Sequence, residues 1–191
     1  MRHALPRISL EKFEEPEFSH SETLQITGLT ADTLLTWHKR GVVPNIGDRD
    51  QGGRGHRRKY SAMHLAYLLV LKQLSGKMPL LMAGMAASNA IPLILGTFMM
   101  LRYTENVDEI EAMPSLVLVA YEDDAGQTKF ELFTSEEGKG IPVIPPGGIE
   151  QWMRDLNIQS ATLLNIVSLT LTLFGKIGDL KESRSAQKST K

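Results

Sequence analysis

Between residues 30 and 60 the chain gathers the groups that a polyanion-binding surface needs. From Lys39 to Lys59, the cations Lys39, Arg40, Arg49, Arg54, Arg57, Arg58 and Lys59 stand against two carboxylates, Asp48 and Asp50. Each Lys or Arg brought to a nucleic-acid backbone releases condensed counterions and adds sequence-independent affinity, so such a density of cations is chemistry for phosphates. Arg54, His56, Arg57, Arg58 and Lys59 are the phosphate-contacting candidates, with Tyr60 closing the run. Just upstream, Thr30, Ala31, Asp32, Thr33 and Thr36 are small and mostly polar. Side chains of that kind let a helix approach base edges, and the Asp32 carboxylate could accept from cytosine N4. Lys39 and Arg40 have two uses, phosphate contact or complementing the negative pole of a helix end.

Catalytic chemistry finds no comparable pattern. The histidines are His3, His20, His38, His56 and His64, and none has the HExxH spacing of a metal site. His20 lies upstream of the cation-rich stretch and His38 and His56 inside it, and for all three a surface or phosphate-contacting role is expected. There is no GxSxG and no phosphate-binding GxxxxGK[ST]. Gly52-Gly53-Arg54-Gly55 could cradle a phosphate but opens no helix, and reads as a loop tip. Glu122, Asp123 and Asp124 could hold a cation, although turn chemistry accounts for them more simply. The absence of cysteine excludes disulfides and thiolate zinc sites. The expectation is a protein that is not an enzyme and carries no cofactor and no metal.

The elements that must position these groups follow from local signals. A short helix is predicted from Ser21 to Thr27, then a tight turn at Gly28-Leu29. Thr30 caps a second helix running to about Arg40 and stopping at Gly41. Leu24, Leu29 and Leu34 belong to the core of this pair. Two helices joined by a glycine-containing turn form a helix-turn-helix, whose second helix enters the major groove. Val42-Val43-Pro44 is an extended exit, Asp48 to Gly55 has hairpin-tip composition, and Arg57 to Tyr60 returns from it. Ser61 then caps a third helix, Ala62 to about Ser75, with Met63, Ala66, Tyr67, Val70, Leu71 and Leu74 on one apolar face. The sum is a winged helix-turn-helix.

The residues Thr27-Gly28-Leu29-Thr30, Thr33-Leu34, Trp37-His38, Arg40 to Pro44 and Arg57 to Ser61 together resemble the DNA-binding domain of the MerR family. That family carries TG(V/L)S, TLRYYE and R-G-L-(L/I)-x-P, then a wing ending in basic-Tyr-Ser. The resemblance covers residues 19 to 75. It departs at Leu35, where the family has Arg, at His38, where it has Glu, and at Asp32, where a basic residue is common. It implies a sequence-specific transcriptional regulator that binds double-stranded DNA and distorts it. A homodimer is expected because one small module reads too few base pairs to be selective, and the absence of cysteine fits a cytoplasmic, nucleoid-associated protein. On the family's pattern Trp37 replaces an aromatic near the DNA backbone, where its indole N–H reaches a phosphate. Core packing against Leu29 and Val42 is the alternative. Two other readings stand beside the regulator: an excisionase-like architectural protein that bends DNA, and a protein-interaction or membrane-associated adaptor whose helix-turn-helix no longer binds DNA.

The fold class expected is mainly α with a small β region, a winged helix-turn-helix followed by an α+β region. Residues 1–18 are read as a flexible arm, 19–76 as the DNA-binding domain, 77–181 as an effector and dimerisation region, and 182–191 as a disordered tail. Apolar content of 42% supports a packed core, and the net charge of −1 hides a segregation, because Glu105 to Glu137 is acidic with Lys129 as its one cation. Met78 to Ala90 is a helix interrupted at Ile91-Pro92, with a second apolar run from Leu93 to Leu101. Residues 115–134 alternate as a β-hairpin around Asp123 to Gly126, and Ile141 to Ile144 would add a third strand. Leu156 to Gly175 carries no charge but is rich in Ser, Thr, Asn and Gln. It is read as one long helix buried at a dimer interface, not as a membrane span, with a small-molecule or protein effector bound by the same half. The first eighteen residues have no apolar core and are not read as a secretory signal.

Overall fold

The computed structural model describes residues 13–44, 58–102, 116–123, 125–134, 143, 148–156, 158 and 161–189. The helix-turn-helix consists of α1 (His20–Thr27) and α2 (Ala31–Lys39). Ser19 and Glu22 start α1 with a capping box: the Ser19 hydroxyl accepts from the Glu22 N–H at 3.4 Å, and Glu22 Oε2 accepts from the Ser19 N–H at 2.8 Å. Gly28 ends it in the left-handed conformation, φ 63°. A side chain there would also meet Lys72 Nζ at 2.8 Å, because that ammonium reaches over the turn and donates to the Thr27 and Gly28 carbonyls at 3.0 and 2.8 Å. Thr30 caps α2 by accepting from the Thr33 N–H at 3.2 Å.

The strand β1 (Phe18–Ser19) pairs antiparallel with β2 (Lys59–Tyr60). The chain returning to β2 is thus paired to the segment that precedes α1. The expected wing tip, Asp48 to Gly55, falls in residues 45–57, which lie outside the described residues. Helix α3 (Ala62–Leu74) follows. One apolar face was expected, yet Leu65, Leu68, Leu69, Val70, Leu71 and Leu74 are all buried. Helices from both halves of the chain surround α3, since α1, α4 (Leu80–Arg102) and α6 (Ile166–Ser189) all pack on it.

The expected break at Ile91-Pro92 does not occur, and α4 runs through Pro92. Proline removes the amide that would bond to the Ser88 carbonyl. Both Ser88 and Pro92 are exposed, so the lost bond falls on the solvent side of the helix, where it costs least. Ala83, Ala86, Ala87, Ala90, Ile94 and Phe98 form its buried stripe. Gly84 lets it approach the exit from α2, where an added side chain would meet Val42 Cγ1 at 2.9 Å and Tyr67 Oη at 3.0 Å. Tyr67 Oη donates to the Val42 carbonyl at 2.6 Å in that contact. By length and apolar composition the 22-residue stretch Leu80–Leu101 could cross a membrane; here its alanine stripe packs against protein.

Strands β3 (Leu116–Glu122), β4 (Thr128–Thr134) and β5 (Ala161–Asn165) form an antiparallel sheet in the order β4-β3-β5. Leu118 sits opposite Leu132 on one side and Leu164 on the other. The Asp123 carboxylate closes the β3–β4 turn by accepting from the Ala125 and Gln127 amides at 3.0 and 2.8 Å, and Gly126 supplies φ 71°. This is the turn role weighed against a cation site; Asp124 lies outside the described residues. So do Ile141, Pro142 and Ile144, while Val143 makes a single parallel bridge to Thr134. The short helix α5 (Gly148–Asp155) covers the outer sheet face, with Trp152 edge-on to Tyr121 and Phe133 at 5.3 and 5.0 Å.

Three expectations for the ends and the C-terminal half are corrected. Residues 156–175 are not one helix: Ala161–Asn165 is the strand β5, and α6 begins at Ile166. The switch lies at Asn165, whose side-chain oxygen accepts from the Ser168 N–H at 2.9 Å and caps α6. Leu169, Leu173, Phe174, Ile177 and Leu180 are buried within the chain, packed with α3 and α4, so no symmetry mate is needed to cover the uncharged stretch. The tail expected to be disordered continues α6 to Ser189. Arg184 holds it by pairing with Glu17 at 3.0 Å and Glu22 at 2.7 Å, and Lys181 reaches Glu17 at 3.1 Å. The arm is anchored from Phe13 onward: Phe13 stacks with Phe98 and Phe174, whose own rings lie 3.9 Å apart. One core therefore runs from Ile26 and Leu34 through α3 to Leu164 and Phe174, with no packing boundary at residue 76.

Candidate nucleic-acid interface

Helix α2 is two-faced. Leu34 and Trp37 point inward at 0% and 6% exposure. Asp32, Leu35, Thr36 and Lys39 lie at helical spacing on the opposite side and are exposed, as are Thr30, Ala31 and Arg40 beside them. Burial of the Trp37 ring in the core with Leu29 supports the core-packing reading. Thr33 is half-buried, and its hydroxyl lies 2.8 Å from that of Thr30. It is engaged with the cap.

Arg58 and Lys59 are exposed where the chain enters β2. Tyr60 is fully buried, and its hydroxyl lies 3.1 Å from His38 Nε2. Burial pushes the Tyr60 phenol up and the His38 imidazole down; Arg58 and His20 depress His38 further. His38 is therefore held toward its neutral form, a ring that braces Tyr60 rather than a cation for DNA. Arg54, His56 and Arg57 lie outside the described residues. The outward side chains and the start of β2 enclose a recess of about 380 Å³, lined by His20, Ala31, Asp32, Leu35, His38, Arg58 and Tyr60. Residues 18–77 form a MerR-type helix-turn-helix domain. They match the family model described as MerR HTH family regulatory protein, over well under half of the 191-residue chain. At the level of that family the domain is that of a DNA-binding transcription regulator. No curated protein matches the chain.

The geometry also places two residues outside the candidate DNA-contact set at this surface. His20 lines the recess with its ring 6.4 Å from that of Tyr60. Leu35, seen in sequence only as a departure from the MerR pattern, stands in the middle of the outward stripe. Its signal was spacing: it is three residues after Asp32 and four before Lys39. Among the described residues, no group of three His, Asp or Glu side chains could hold a metal ion. A second cavity, about 480 Å³, lies between the α3–α4 connection and the sheet; Lys77, Met78, Met82, Tyr121, Thr128 and Thr162 are among its lining.

Proposed function

We propose that this chain is a sequence-specific transcription regulator of MerR-like type, cytoplasmic, that binds double-stranded DNA as a homodimer. The observation that carries this reading is the outward stripe of α2 beside the exposed cations Lys39, Arg40, Arg58 and Lys59. Asp32, Thr36 and Ala31 are the base-edge contacts on this reading, and the cations take phosphates on either side. Thr30 and Thr33 hold the helix start, while Trp37, His38 and Tyr60 support the surface from beneath. Arg54, His56 and Arg57 extend the phosphate contacts along the wing. A single module reads too few base pairs to be selective, which supports the dimer. The 480 Å³ cavity is the place for a small-molecule effector, because it joins the sheet to the connection that leaves the DNA-binding domain.

Selection of bound duplexes from a random pool at fixed salt tests the reading. The full chain should enrich a defined site, with two-fold symmetry if the dimer is right. Replacing Arg57 and Arg58 together with Ala should then weaken binding to every sequence similarly. The slope of log affinity against log salt should flatten by roughly 0.9 per lost phosphate contact. An unchanged slope removes the wing from the interface, and a pool that stays random removes the regulator.

A further inference from the structure

Leu35 is 48% exposed in the centre of an otherwise polar stripe, between Asp32 and Lys39. An isolated exposed leucine needs no explanation. This one is not isolated in space: Ala31 lies one turn before it on the same side, and both open on the recess floored by His38 and Tyr60 and edged by Asp32 and Arg58. Nor does α2 need it for packing, since Leu34 and Trp37 already fill the core side. Its side chain has no donor or acceptor, so it can serve neither a phosphate nor a guanine edge. The one apolar group that a base pair displays in the major groove is the C5-methyl of thymine.

We infer that Leu35, backed by Ala31, is a specificity-determining residue that covers a thymine methyl group in the major groove. This rests on the DNA-binding reading above and names what the centre of the reading helix recognises. Asp32 and Lys39 lie toward either end of the same stripe, so the methyl contact is flanked by a polar base-edge reader and a phosphate-seeking cation.

The test takes the full chain and the site selected from the random pool. Each thymine is replaced in turn by uracil, which deletes the methyl group and keeps the pairing. At one or two positions uracil should weaken wild-type binding roughly fourfold, the effect of leaving one methyl-sized apolar group uncovered. Leu35→Ala should bind the unmodified site about as weakly as the wild type binds the uracil site, and should be indifferent to the exchange. Its thermal midpoint should match the wild type, because the side chain it truncates is exposed. A wild type indifferent to every uracil overturns the role of Leu35 and leaves DNA binding standing. Uracil sensitivity that persists in Leu35→Ala does the same. Failure to enrich or bind any duplex overturns the DNA-binding reading and this role with it.

Discussion

His64 occupies the third position of α3, where a capping box ordinarily has Glu or Gln. Its Nδ1 lies 2.8 Å from the Ser61 backbone nitrogen. A backbone N–H can only donate, so Nδ1 must be the bare acceptor and the ring must be neutral. Burial agrees, holding the imidazole down at about 4 from its ordinary 6.5. Above about pH 6.5 the ring is neutral whether the chain is folded or not, and the cap is intact. As pH falls below that, the unfolded chain binds a proton that the folded chain resists until about pH 4, and stability is lost across the window. Carboxylates titrate over part of the same range, so the variant comparison isolates this group. His64→Gln keeps an acceptor at the cap and removes the titration. Its melting temperature should fall less than that of the wild type between pH 7 and 4.5, and parallel falls would remove His64 as the cause. Scanning calorimetry at matched ionic strength reads the difference.

At the scale of elements, α6 is the brace between the two ends of the chain. Lys176 Nζ donates to the Ile26 carbonyl at 2.9 Å, one residue before the end of α1. Farther along, Arg184 engages Glu22 through both Nε and Nη2 and reaches Glu17 through Nη1, while its guanidinium lies 5.7 Å from the centre of the Phe18 ring. The same Glu22 starts α1, so one carboxylate ties the reading domain to the last helix. These side chains keep partial access to solvent, which limits their strength. Arg184→Ala should cost about 1 kcal/mol, measured as a lower denaturant midpoint with unchanged slope. Raising salt from low to molar should shrink the gap to the wild type, because exposed charges are screened. A gap that ignores salt would assign the loss to packing of the Arg184 stem over Phe18.

At the scale of the whole molecule, burial of α6 within the chain moves the proposed dimer contact to α4. The outward side of α4 carries Leu81, Met85, Pro92 and Gly96 exposed, and no charged residue interrupts it from Leu80 to Leu101. A charge-free helix face of this length is a surface that soluble proteins tend to cover. A dimer built there would leave α2 and the start of β2 free. Met85→Glu would set two carboxylates near the dyad and should convert the dimer to a folded monomer that binds DNA weakly and without selectivity. Light scattering coupled to size exclusion checks both the wild type and the variant. A monomeric wild type, or a variant that stays dimeric, rules this face out.

Local chemistry was enough to read the DNA-binding domain. Thr30, Gly28, Gly41 and Ser61 mark helix ends through bonds and dihedral angles made within a few residues, and such signals act before any tertiary contact forms. The hairpin of β3 and β4 was legible for the same reason, through alternation and the Asp123–Gly126 turn. What sequence left open depended on neighbours distant in the chain. Pro92 passes through α4 because its face meets water, and Trp37 is a core residue because α2 turns it inward. The uncharged stretch divides at Asn165, because residues 161–165 find a strand partner in β3 and the rest finds α3 and α4. Polar composition at the C-terminus read as a tail; Arg184 and Lys181 make it a helix by meeting Glu17 and Glu22, more than 150 residues away in sequence. Leu35 shows the same division at the site: its type and position were in the sequence, but only the fold decided that it faces outward.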